Sequence, residues 1–368
     1  MKVMVFLSFV LLFQSCVTIS IKSANELDSI VAEIDGQLSE KTDKNIPGVV
    51  IALIENGEVY YQKAFGFKNR KTQEVMSVDT VFQVASISKS VFALAIMKLM
   101  EEGQIDIDSP IESYLTQWKL PESKYNSNEV TARKILTHSA GLSVHGYPGY
   151  NPKKELPSIE QSLSNRFRVK LKNEPGKIWK YSGGGYTILQ LALENITGQS
   201  LSEYMKDTIL KEMGMTKSSY DYNYIMNNDL AKPYNRLGVE IPNYLYTEKA
   251  AAGLYTTVID LAQMIIEIMR CYNNIDNNSV ISRETLELII NSQMEIDKET
   301  SMGMGFFIFN IGNGVKTYGH SGGNRGWRAH YEFSLEKNSG IVVLTNSDSG
   351  KKVISPILST WRNYVCEK

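Results

Sequence analysis

Three short stretches of the chain carry side chains able to do chemistry. Ser86-Ile87-Ser88-Lys89 sets a hydroxyl three residues ahead of an amine, which places both on one face of a helix. An amine desolvated enough to be partly neutral can take the hydroxyl proton. The free N–H groups and positive dipole end of a helix start favour a developing oxyanion beside the serine. Ser334 with Lys337 and Ser349 with Lys352 repeat the spacing, so spacing alone selects nothing. Ser86 differs because it opens a helix predicted to run to about Glu102 and to stop at Gly103. There Val91, Leu94, Ala95 and Leu99 form an apolar stripe that would hold the pair rigidly. Ser334 falls in a predicted strand and Ser349 in a loop. The plain alternative for Ser86 is a helix N-cap.

The second stretch, Tyr181-Ser182-Gly183, precedes a helix within the run Tyr-Ser-Gly-Gly-Gly-Tyr. Tyr181 is one of 20 tyrosines, set apart by glycines that let backbone approach a substrate closely. The third, His320-Ser321-Gly322, falls between predicted strands near the other end of the chain. In order and separation these three resemble the elements of the β-lactamase-related serine hydrolases. That family includes class C β-lactamases, low-molecular-weight penicillin-binding proteins, D-aminopeptidases and lactamase-like esterases. Leu136-Thr137-His138-Ser139-Ala140-Gly141-Leu142, Ala251-Ala252-Gly253-Leu254-Tyr255 and the strand Ile341–Asn346 also look like segments of it. The resemblance covers about residues 25–365.

The resemblance implies that Ser86 is the nucleophile and that Lys89 accepts its proton or holds the base ionised. Tyr181 would be the base, or the acid for the leaving group; a phenol of ordinary pKa, ~10, needs cations nearby to act as base at neutral pH. The oxyanion would sit between the backbone N–H groups of Ser86 and Gly323. His320, Ser321, Gly322 and Gly183 would line the substrate. Two residues depart from the β-lactamase pattern. His320 stands where a lysine is typical, and an imidazole near ~6.5 is mostly neutral, so its hold on a carboxylate should be weak and pH-dependent. Gly183 stands where an asparagine is common and removes an amide. Both departures favour esters, amides or D-peptides over efficient β-lactam hydrolysis. Arg325 is a candidate for the missing cation.

The elements that must position these residues follow from periodicity. Leu27, Ile30, Val31, Ile34 and Leu38 predict a helix over 24–41. Val49–Glu55, Asn56-Gly57 and Glu58–Ala64 predict a β-hairpin. Helices are expected near 129–137, 186–197, 201–213, 257–271 and 283–292, with Thr257 and Asp260 as a capping box. Strands return at Gly305–Asn310, Trp327–Leu335 and Ile341–Asn346, and a helix closes 352–365. Strands at both ends with helices between predict an α+β fold of β-lactamase/transpeptidase-like type: one antiparallel sheet built from both chain ends, flanked by helices, with a large helical insertion. The sheet lobe would span about 25–85 and 296–368, and the helical lobe about 86–295. The loops 143–158 and 220–248, with Tyr147, Tyr150, Tyr222 and Tyr244, read as binding walls.

The remaining sequence bounds location and partners. Lys2, an apolar run Val3–Phe13, then Gln14, Ser15 and Cys16 give an export signal over 1–15. Cys16 resembles the lipidated cysteine of a bacterial lipoprotein, with 16–24 as a tether, so the expected location is the bacterial cell envelope and the only membrane contact a lipid anchor. A formal net charge of −1 without a basic cluster argues against nucleic acid. The expected partner is a small-molecule or peptide substrate, cell-wall derived in one reading. Four histidines without ligand spacing predict no metal, and no cofactor motif is present. His138 reads as a hydrogen-bonding residue of its own turn. Cys271 and Cys366 read as packed residues that pair only if the last helix lies near Cys271. Two competing functions are an α/β-hydrolase elbow at Gly319-His320-Ser321-Gly322-Gly323, which needs a strand before and a helix after it, and a non-catalytic peptidoglycan- or peptide-binding lipoprotein. A true β-lactamase or DD-peptidase is the alternative within the same chemistry.

Overall fold

The Asn56-Gly57 pair makes the tight turn its sequence demands, with φ of 55° and 77° at the two residues. It joins β1 (Gly48–Glu55) to β2 (Glu58–Asn69). The computed structural model describes residues 26–42, 45–165, 168–226, 229–275 and 279–368. The expected export signal, Cys16 and the tether to residue 24 lie outside the described residues.

The other strands are β3 (Glu74–Val75), β4 (Phe82–Gln83), β5 (Tyr255–Thr256), β6 (Met294–Glu295), β7 (Thr300–Met302), β8 (Phe307–Gly312), β9 (Val315–Asn324), β10 (Trp327–Ser334) and β11 (Ser339–Thr345). Nine of them form one sheet in the order β3-β2-β1-β11-β10-β9-β8-β7-β6. Its centre is the antiparallel pairing of β1 with β11, Val49 opposite Thr345 through Glu55 opposite Ser339. The two chain ends therefore do close one sheet. β4 and β5 pair apart from it.

Helices are α1 (26–41), α2 (Ser88–Glu101), α3 (Ala132–Leu136), α4 (Ile159–Ser164), α5 (Gly183–Thr197), α6 (Leu201–Tyr204), α7 (Tyr222–Ile225), α8 (Lys249–Ala252), α9 (Val258–Tyr272), α10 (Arg283–Ile290) and α11 (Lys351–Glu367). Every residue of β1 is buried because both faces of the sheet are covered. Val50, Ala52 and Ile54 pack with α2, α5 and α9 in the larger core. Val49, Ile51 and Leu53 face the other way, against Ile34 and Leu38 of α1 and Ile357 and Trp361 of α11. Cys271 lies in the first core and Cys366 beside the second, and both are free thiols.

Four expectations need correction. β9 was not predicted: His320-Ser321-Gly322 lies inside a strand rather than between strands. Its three glycines lower strand propensity, yet they are needed. A Cβ at Gly319 would stand 2.3 Å from the Tyr331 carbonyl oxygen of β10. The helix expected to open at Ser86 starts at Ser88; Ser86 occupies the single 3-10 turn Ala85–Ile87 before it, entered through Ala85 at φ 51°. The capping box at Thr257 is half formed. Its hydroxyl accepts from Asp260 N–H, but the Asp260 carboxylate takes Lys217 N–H and the Ser218 hydroxyl instead. The helix expected over 201–213 begins as α6 and continues as a wider π-type turn over Met205–Leu210.

Candidate active site

Ser86 is half-exposed in a stretch otherwise buried from Val81 to Val91. Neither the 3-10 turn nor α2 has a side-chain cap at its start, so Ser86 is not an N-cap. Its hydroxyl meets the Lys89 amine instead, Nζ to Oγ 3.1 Å. Lys89 is buried and also donates to the Ala251 carbonyl at 2.6 Å. Ala251 belongs to α8, whose approach is fixed by Gln190 of α5. That amide donates to Thr247 O at 3.1 Å and accepts from Ala250 N–H at 3.1 Å. Burial pushes the Lys89 amine down to about 7, because removing water penalises the charged form.

Tyr181 reaches the same point from the N-terminal end of α5, the centroid of its phenol ring 5.0 Å from the Lys89 amine. Burial holds that phenol well above its ordinary pKa, so it is a neutral O–H. Ser182 caps α5, accepting from Gly185 N–H at 3.0 Å and donating to Ser143 O at 2.7 Å. His138 supports the pair from below. Its Nδ1 accepts the Ser182 N–H at 3.1 Å, and its ring lies 4.1 Å from that of Tyr181. The bond spans forty-four residues of sequence, so His138 serves Tyr181 rather than its own turn. Sequence reading missed this; the residue's φ of 55° is a backbone feature invisible in composition.

β9 forms the opposite wall. A Cβ at Gly322 would lie 2.1 Å from the Val84 carbonyl oxygen, so only glycine lets the strand run against the turn that carries Ser86. Gly323 follows, pairs with Arg328 of β10 and is exposed. His320 is buried, with Nδ1 2.6 Å from the Ser321 carbonyl, which can only accept. Nδ1 therefore carries the proton and Nε2 a lone pair. Burial, then the nearby Lys89 amine, push this imidazole down to about 3. The expected pH-dependent charge at His320 is corrected accordingly: it is neutral throughout the ordinary pH range. Arg325 sits at the exposed turn between β9 and β10, its guanidinium 4.7 Å from the Tyr244 ring. Ser321 is exposed and mid-strand, and a strand rather than a helix follows it, so the elbow geometry is absent.

Gly183 opens α5, and His145, Gly146 and Tyr147 pack against it. The two long loops meet through Tyr150 and Leu245, whose backbones exchange bonds of 2.7 and 2.9 Å. Their tyrosines are anchored within the protein: Tyr147 to Thr187, Tyr150 to the buried Glu248, Tyr222 against Tyr255, and Tyr244 under Arg325. Trp179 and Phe307 add an aromatic edge that sequence reading did not assign, 6.2 Å apart, with Phe307 5.0 Å from His320.

This arrangement has relatives. A profile of the Beta-lactamase family matches residues 27–355. The protein flp of Staphylococcus aureus (strain MRSA252) is 24% identical over 312 residues, covering 83% of this chain; the chain spans only 60% of that relative's length. The putative penicillin-binding protein PbpX of Bacillus subtilis is 23% identical over 308 residues, 82% of this chain and 71% of its own. A solved octameric penicillin-binding protein homologue from Pyrococcus abyssi superposes with a TM-score of 0.77 at 28% identity, over 92% of this chain and 78% of that one. A penicillin-binding protein from Bacillus halodurans shares the fold, TM-score 0.74 at 21% identity, over 89% of this chain and 98% of that one. With the family match running through all three motif stretches, the chain belongs to the Beta-lactamase family.

Proposed function

We propose that this protein is an exported hydrolase that forms an acyl-enzyme on Ser86 and cleaves an ester, amide or D-peptide-like substrate. The observation that carries the reading is the buried Lys89 amine 3.1 Å from Ser86 Oγ. With a pKa of about 7, a large share of that amine is neutral at physiological pH and can act as base.

Lys89 takes the Ser86 proton as Oγ attacks the substrate carbonyl. The Ser86 and Gly323 backbone N–H groups hold the oxyanion. As the tetrahedral adduct collapses, Tyr181 gives its proton to the leaving atom and is reprotonated by the Lys89 ammonium. Water then repeats the sequence on the acyl-enzyme, releasing the acid and restoring Ser86. Tyr181 acts here as an acid, which agrees with a phenol that burial keeps neutral.

The neutral His320 supports substrates without an essential carboxylate, and ranks a true β-lactamase or DD-peptidase second. A carboxylate, where present, would fall to Arg325 and the Ser321 hydroxyl. A catalytically silent peptidoglycan- or peptide-binding lipoprotein is the third reading. The apolar segment Val3–Phe13 and Cys16 support export and lipid anchoring at a bacterial cell envelope.

Mass spectrometry of the protein with a fluorophosphonate, a penicillin, an activated ester and a D-alanyl peptide tests these readings. The expected adduct maps to Ser86 and is lost in Ser86→Ala but kept in Ser321→Ala. Small p-nitrophenyl esters should turn over and a chromogenic cephalosporin weakly or not at all. No adduct and no turnover with any reagent would favour the non-catalytic reading.

A further inference from the structure

Two side-chain amides meet beside the Ser86 turn. Asn324, the last residue of β9, donates to the Ala252 carbonyl at 3.1 Å and to Gln83 Oε1 at 2.6 Å. Gln83, at the end of β4, donates to the Tyr244 carbonyl at 3.0 Å and to the Tyr255 hydroxyl at 2.9 Å. The carbonyls of Ala252 and Tyr244 can only accept, so they fix which end of each amide is nitrogen. All the amide hydrogens of the pair are then used inside the protein, where Gln83 is 1% and Asn324 8% exposed.

The pair bridges a join that the backbone leaves open. β9 hydrogen-bonds to β8 and β10, and β4 to β5. Among the described residues no backbone hydrogen bond runs from β9 to β4 or to the turn Ala85–Ile87. What touches there is Gly322, packed against the Val84 carbonyl. Such a contact limits how near the strand can come but not how far it slides along the turn. A hydrogen bond is directional and sets that second coordinate.

The two N–H groups offered to an oxyanion lie on either side of this join, Ser86 on the turn and Gly323 next to Asn324. Donors of that kind work only when both stand at hydrogen-bond distance from one point. We propose that Gln83 is a positioning residue, whose bond to Asn324 holds the Gly323 N–H level with that of Ser86. The inference rests on the reading of Ser86 as nucleophile. The outer bonds of the pair extend the same brace. Ala252 follows the residue whose carbonyl takes the Lys89 amine, and Tyr244 carries the ring beneath Arg325.

The test probes the oxyanion pair directly. A thionoester places sulfur where an ester has its carbonyl oxygen; sulfur is larger and accepts more weakly, so two well-set donors favour the oxoester in the transition state. p-Nitrophenyl acetate and O-p-nitrophenyl thionoacetate are compared in wild type, Gln83→Met and Asn324→Ser. Methionine keeps the length of Gln83 without its hydrogen bonds. Asn324→Ser cuts the same bond from the less buried end and carries the test should Gln83→Met not fold. In both variants kcat for the oxoester is expected to fall about 10²-fold, the scale of one lost oxyanion donor. KM should move by less than about threefold, because the donors act on the transition state. The oxo-to-thiono ratio of kcat/KM should fall about tenfold. A purely structural role would slow both esters by one factor, so an unchanged ratio, with wild type active on the oxoester, overturns the assignment alone. A wild type that turns over neither ester and takes no fluorophosphonate at Ser86 would remove the nucleophile and the assignment with it.

Discussion

The Lys89 amine hydrogen-bonds the Ser86 hydroxyl and the Ala251 carbonyl, at 3.1 and 2.6 Å, from inside the core. Neither acceptor is a carboxylate, and burial is the cause of its lowered pKa. If Lys89 is the base, kcat/KM rises with pH through an apparent pKa of about 7, because only the unprotonated amine accepts. Lys89→Arg stays charged and should lose about 10²–10⁴-fold in kcat, read from the pH–rate profile against wild type.

The same burial has a cost in stability. The folded pKa of Lys89 lies below its unfolded value, ~10.4, so the unfolded chain binds an extra proton between pH 7 and that value. Native stability therefore rises with pH across this window and is penalised fully below it. Lys89→Met should remove that slope and gain about 1–2 kcal/mol at pH 6, the scale for replacing a buried charged group by an apolar one, although the Ala251 carbonyl loses its donor. Urea unfolding of both proteins at pH 6 and pH 9 checks the sign; an equal difference at the two pH values would contradict it.

Tyr181 as acid makes the effect of Tyr181→Phe depend on the leaving group. A p-nitrophenolate departs without a proton, whereas an alkoxide or amine does not. The expected loss in kcat is about tenfold for p-nitrophenyl acetate and about 10²–10³-fold for an alkyl ester or D-alanyl amide. A flat loss across leaving groups, measured by steady-state kinetics, would return Tyr181 to a general base or a positioning role.

The parts of the fold that were legible were those written in apolar periodicity or turn chemistry. Asn56-Gly57 announced its hairpin, and Val91, Leu94, Ala95 and Leu99 announced α2. β9 was illegible because its glycines answer to atoms on other elements, the carbonyls of Val84 and Tyr331, which no local pattern encodes. The same holds for the site. Ser86 and Lys89 share one turn of chain and could be paired by spacing. His138, His145 and Phe307 converge on Tyr181 and His320 from distant segments; the stretch around His138 stood out in the sequence, but not its bond to Ser182, and nothing marks the other two.

His320 carries a prediction opposite to that of a free imidazole. Burial beside Lys89 holds it neutral, so no inflection near pH 6.5 should appear in kcat/KM for a carboxylate-bearing substrate beyond that of Lys89. His320→Lys would place an amine near Tyr181 and Phe307, whose rings lie 6.1 and 5.0 Å from the imidazole. Cephalosporin turnover should rise, by about tenfold for one new charge-assisted contact, while thermal stability falls because the amine is buried. A rise in melting temperature with no gain in turnover would mean that the lysine does not reach the substrate.

Gly322 and Gly323 are neighbours on β9 with different demands. Gly322 faces the Val84 carbonyl, and a methyl group there has no room at 2.1 Å from backbone. Gly322→Ala must push β9 off the Ser86 turn, at a cost of about 1–3 kcal/mol for an overpacked position, and should lose fluorophosphonate labelling with it. At Gly323 the nearest atoms to a new Cβ are the flexible Arg328 side chain, at 3.5 Å. Gly323→Ala should leave stability within about 0.5 kcal/mol of wild type, while its methyl group, at the exposed edge of the strand, raises KM for bulky esters more than for acetate. Denaturant unfolding and labelling of the two variants in parallel decide the matter. Similar losses of stability at both positions would mean that β9 does not owe its glycines to the approach of the Ser86 turn.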